Sequence, residues 1–115
     1  MKWYLAKIVF RIISGKGDHK AQFDEQLRLI EAKDRAGAFE KAKIIGKNTE
    51  ESYLNQQKET VRWKFINVEE LYHLHELQDG TEIYSRIQEY EEVENHIHVI
   101  NTKASHIGGM HYIKK

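Results

Sequence analysis

The stretch Lys2-Trp3-Tyr4-Leu5-Ala6-Lys7-Ile8-Val9-Phe10-Arg11-Ile12-Ile13 decides the fold. Successive side chains of a strand point to opposite faces. Trp3, Leu5 and Val9 therefore share one face, and Tyr4, Ala6, Ile8, Phe10 and Ile12 share the other. A strand apolar on both faces belongs in the middle of its sheet. Lys7 and Arg11 fall on the first face, which is expected to be the less completely covered one. The same two charges exclude a signal-peptide core, and the run is shorter than the ~20 apolar residues of a membrane helix.

The rest of the chain builds outward from that strand. Residues 14–22, with Gly15, Gly17 and Asp18, read as a loop. Residues 23–32 read as a second strand with Phe23, Leu27 and Leu29 on one face. Asp34 is placed to cap a helix, because its carboxylate can take an orphan backbone N–H. Ala38, Ala42 and Ile45 then recur at helical spacing with Phe39 beside them, and Gly46 or Asn48 is the expected end. Asn48 with Glu51 resembles a capping box for a second short turn. Val61, Trp63 and Phe65 alternate with Arg62 and Lys64 as a third strand, and Asn67 bends the chain before a fourth over 71–77. Asp79-Gly80 is a two-residue hairpin signal leading into a fifth strand over 82–90. Val93, Ile97, Ile100, Ala104 and Ile107 make a final helical stripe, with Glu91 and Glu92 at its start and Gly108-Gly109 as its stop. The tail 110–115 reads as an edge strand or as disordered.

The expected order is β-β-α-β-β-β-α in one α+β domain spanning residues 1–115, with a mainly antiparallel sheet. A crossover from strand two to strand three makes those two parallel and leaves strand one between them. Helices on one sheet face give a ferredoxin-like two-layer sandwich. Its open face is expected to be covered by a second copy of the chain, as a homodimer.

Composition narrows the function. The 115 residues include no cysteine and no proline, and 18 basic residues balance 18 acidic ones. Without cysteine there are no disulfides, thiolate metal sites or thiol nucleophiles. Without a basic excess a nucleic-acid partner is not expected, despite aromatic residues beside Lys and Arg.

Three runs resemble a known family when taken together: residues 2–7 (KWYLAK), residues 23–32 (FDEQLRLIEA) and residues 63–72 (WKFINVEELY). Asp79-Gly80 followed by Glu82-Ile83-Tyr84-Ser85 adds to them. In this order they resemble domain-of-unknown-function family 4288, over most of the chain. The resemblance implies a bacterial cytoplasmic protein and a single domain. It implies no activity and no site residues.

Chemistry-bearing residues are few. Across an Asp79-Gly80 hairpin, His75 would oppose Tyr84 and His73 would oppose Arg86, with Tyr72, Leu74, Ile83 and Ile87 on the core side. His73, His75, Tyr84 and Arg86 are thus the candidate binders of an anion or small polar ligand. The plain alternative is an ordinary solvated or dimer-facing surface. A zinc ion needs a third protein ligand, which the pattern does not supply, so no metal and no cofactor are expected. His96 and His98 diverge on a helix, with His96 half-buried and His98 exposed. No serine elbow or phosphate loop is present. The expected function is a non-enzymatic interaction module that self-associates through its sheet. The alternative is a small-ligand or metal-binding protein using the histidine-bearing hairpin.

Overall fold

The computed structural model describes residues 1–113, and for 110–113 the backbone alone. The chain divides into two compact units, Met1–Tyr84 and Ser85–Lys115.

In the first unit, β1 (Lys2–Ser14), β2 (Gln22–Ala32), α1 (Arg35–Thr49), β3 (Glu51–Leu54) and β4 (Thr60–Leu74) follow in that order. The four strands form one antiparallel sheet in the order β2-β1-β4-β3. The doubly apolar strand β1 lies between two neighbours, as its pattern requires. The class is α+β.

Asp34 caps α1, its Oδ1 accepting from the Gly37 N–H at 2.8 Å. Ala38, Ala42 and Gly46 form the helix's buried stripe. The stripe lies on the even-numbered face of β1, where Tyr4, Ala6, Ile8 and Phe10 join Ile30 and Ala32 in the core. Phe10, Ile8 and Ile30 are its largest fully buried side chains. Each contributes roughly 1.5–3 kcal/mol by leaving water.

Several expectations need correction. Gly46 does not end α1 but sits inside it, against Phe65: a Cβ there would lie 2.4 Å from the ring carbons Cδ1 and Cε1. The chain leaves the helix at Thr49 and enters β3 instead of a second helical turn. A turn organised by Asn55, whose side-chain oxygen accepts from the Gln57 and Glu59 N–H groups, returns it to β4.

The third strand does not stop near Asn67. It continues as a single strand to Leu74, because its register against β1 shifts twice, opposite Lys7/Ile8 and Val9/Phe10. Its residues facing α1 are Val61, Trp63, Phe65, Val68, Leu71 and His73. The two gaps of three in that series are bulges, each absorbing one extra residue and keeping the same face inward.

No strand forms over 82–90. Asp79-Gly80 does turn the chain, with Gly80 at φ +86° and the Thr81 N–H bonded to the Gln78 carbonyl at 3.1 Å. A tight turn makes a hairpin only between strands, and β4 has already ended at Leu74. The order is β-β-α-β-β-α.

The second unit contains α2 (Val93–Ile113). It runs through Gly108-Gly109, since neither glycine adopts the left-handed φ that a C-cap uses. Val93, Ile97, Ile100 and Ile107 are exposed along it. His96 stacks on Tyr90 with ring centroids 3.7 Å apart, and is half-buried while His98 is exposed. The tail, expected as an edge strand or as disordered, continues α2 over 110–113, and residues 114–115 lie outside the described ones. No described helix is long and apolar enough to cross a membrane.

Candidate functional site

Covering one sheet face with α1 leaves the odd-numbered face of β1 as the second surface. Register places Phe23, Glu25, Leu27 and Leu29 of β2 beside it, and Asn67, Glu70 and Tyr72 of β4 on its other side. Trp3, Val9 and Ile13 are half-buried there, and Leu5 and Leu74 are buried. Phe23, Leu27 and Leu29 are 56%, 49% and 53% exposed. Large apolar side chains side by side on a strand surface are uncommon without a partner.

Lys7 sits at the centre of this face and is buried. A buried ammonium is costly unless paired. Its Nζ meets Glu25 Oε1 at 3.0 Å and Glu70 Oε2 at 3.1 Å, and the Tyr72 hydroxyl donates to the other Glu70 oxygen. The hydrogen bonds to Glu25 and then Glu70 hold the Lys7 ammonium well above its ordinary pKa. The bond to Glu70 likewise raises the Tyr72 phenol. Arg11, two rungs along, has a buried Nε without a hydrogen-bond partner among the described residues.

The four candidate ligand residues are only partly brought together. His73 lies opposite Tyr4, on the side of the sheet that α1 covers, with their rings 5.2 Å apart. The His75 ring is 4.4 Å from His73. Burial, then the neighbouring His75 and Lys2, lowers the His73 pKa. Tyr84 instead rests edge-on against Tyr72, 5.8 Å away, and Tyr72 is on the other face from His73. The expected core side is also reversed in part: Leu74 is buried, but Tyr72 is 37% exposed. Arg86 belongs to the second unit. Among the described residues no group of three or more His, Asp or Glu side chains is arranged to hold a metal ion.

The sequence reading missed the Lys7–Glu25–Glu70 triad. Its signal was present: a lysine inside an apolar central strand must find carboxylates on the strands beside it.

These features define a small α+β unit with one sheet face covered by α1 and a second face that carries exposed Phe23, Leu27 and Leu29 beside buried Leu5, Lys7 and Leu74. The model of the family described as Domain of unknown function (DUF4288) matches residues 3–85, and the chain belongs to that family. No curated protein and no solved structure matches the chain.

Proposed function

We propose that this domain is a non-enzymatic interaction module that self-associates through the open face of its sheet. The observation that carries the reading is the exposed row Phe23, Leu27 and Leu29 beside half-buried Trp3, Val9 and Ile13. Area sets how the face is used. Three strands over the eleven paired positions of β1 and β2 offer roughly 500 Å² before side-chain relief is added, at ~4.8 Å between strands and ~3.3 Å per residue. A specific interface takes about 800 Å² per partner. A dimer therefore uses all of the face that is exposed, and the Lys7 triad, one cation with two anions, goes in beside Arg11, which offsets its net charge of −1. The chain's zero net charge opposes no such pairing.

The same reading takes the sheet and α1 as part of a ferredoxin-like two-layer sandwich in a bacterial cytoplasmic protein. The layering is supported by α1 lying on one face only, and the setting by the family resemblance. Size-exclusion chromatography with light scattering tests the association. Wild-type protein at high micromolar concentration is expected at twice the 13.6 kDa chain mass, and Leu27→Lys at the chain mass with an unchanged circular dichroism spectrum. A monomeric wild type contradicts the proposal.

A second reading, binding of a small anion or metal, draws on the 4.4 Å separation of the His73 and His75 rings. Zinc or phosphate should then raise the melting temperature of wild type and not of His73→Ala/His75→Ala. No shift in wild type removes it.

A further inference from the structure

The sheet has an unfinished edge. β3 pairs only with residues 60–63 of β4, so among the described residues no strand pairs with the outer side of β4 from Lys64 onward. The two ends of α1 reach this edge with side chains. Glu50, the helix C-cap, accepts the Phe65 N–H at 2.9 Å, and Arg35 donates to the Leu71 carbonyl at 3.2 Å. Both bonds stand where a neighbouring strand would bond. In an antiparallel ladder alternate residues turn both N–H and C=O to the same side. The Leu71 carbonyl faces outward, so the Leu71 and His73 backbone groups form the open ladder. From Glu70 to Leu74 the register to β1 is regular, a stretch of about 17 Å.

Beside this edge runs a groove of about 480 Å³ between α1 and β4. Ala36, Phe39, Val68 and Leu71 give it an apolar floor, with Arg35 and Glu69 among its walls. Phe39 is 36% exposed, and Arg35 and Glu69 are exposed. A strand edge supplies main-chain affinity, and a groove next to it reads alternate side chains.

We propose that this edge binds an extended peptide segment of another protein, which adds a strand outside β4 and places one apolar side chain between Phe39 and Leu71. Charge sets the flanking residues: an acidic side chain meets Arg35, and a basic one meets Glu69. As the peptide docks, Arg35 exchanges the Leu71 carbonyl for the peptide carboxylate, and the freed carbonyl accepts a peptide N–H. Among the groove's residues Glu70 also belongs to the open sheet face.

The test uses the full chain. It is panned against a random dodecapeptide display library, and the selected peptides are titrated into ¹⁵N-labelled protein. The expected peptides carry an apolar residue flanked by one acidic and one basic residue. They should shift the Leu71 and His73 amides and slow their hydrogen exchange. Arg35→Glu and Glu69→Lys, both at exposed positions, should each weaken binding roughly three- to tenfold. Either variant should regain affinity for a peptide with the matching charge reversed. The proposal is overturned by no selected peptide, or by peptides that leave those two amides unchanged. Leu71 and His73 amides already protected in the free protein also overturn it, since the edge is then occupied by a second copy or another part of this chain.

Discussion

Gly46→Ala tests the packing of α1 on the sheet. Away from other contacts, alanine in a helix interior is about 1 kcal/mol better than glycine. Here the added Cβ would lie 2.4 Å from two carbons of the Phe65 ring and 3.1 Å from a third. That is about 1 Å inside the ~3.5 Å at which carbon atoms begin to attract. Phe65 has little room to turn, because its ring meets Phe10 edge-on at 6.1 Å and Phe10 is fully buried. The overlap therefore belongs at the upper end of overpacking costs, about 3 kcal/mol. Net of the helix gain, the variant should lose about 2 kcal/mol. A cooperative unit of this size loses about 4–8 °C of Tm per kcal/mol, so the melting temperature should fall by roughly 8–16 °C. Circular dichroism melts measure it directly. Phe65→Leu removes the obstructing ring edge, so Gly46→Ala in that background should be neutral or stabilising. The resulting coupling should lie well above the ~0.5 kcal/mol that marks independent sites. A Gly46→Ala protein as stable as wild type would refute the placement of the helix on Phe65.

Two further outcomes follow from the caps and charges. Asp34→Ala removes the acceptor of the Gly37 N–H and should cost about 1 kcal/mol, read from the urea midpoint at unchanged slope. Stability should also fall at both ends of the pH scale. Lys7 is raised above 10.5 and Tyr72 above 10.0, so their contributions are complete below about pH 10 and are lost as pH rises through the folded-state values. His73 is lowered below 6.5, so its neutral form is favoured by folding, and stability drops as pH falls below 6.5. Tyr72→Phe should flatten the alkaline limb and His73→Gln the acid one, in urea midpoints measured across pH.

Legibility in the sequence followed locality. Trp3 to Ile13 announced a central strand, because apolar residues at both parities have one explanation. Asp34 announced α1, because capping is decided within three residues. Phe23, Leu27 and Leu29 read as one face of β2. What failed depended on contacts distant in sequence. The bulges of β4 broke the period of two, so one strand read as two. Gly46 looks like a stop until Phe65 is placed against it. Asp79-Gly80 carried its turn correctly and the hairpin wrongly, and with the hairpin went the expected pairing of His73 and His75 with Arg86 and Tyr84. Lys7 inside an apolar strand signalled a need for carboxylates, but its partners lie 18 and 63 positions away, and no local pattern says which they are.

The central claim, association through the open sheet face, is tested most directly by cross-linking. The natural chain has no cysteine, so Leu27→Cys and Leu29→Cys each introduce a single thiol. Ile44→Cys, at an exposed position of α1, is the control. Under mild oxidation at micromolar concentration, at least one sheet-face variant should form a disulfide dimer rapidly, while Ile44→Cys stays monomeric. Equal cross-linking from both surfaces, or none from the sheet face, would contradict the account.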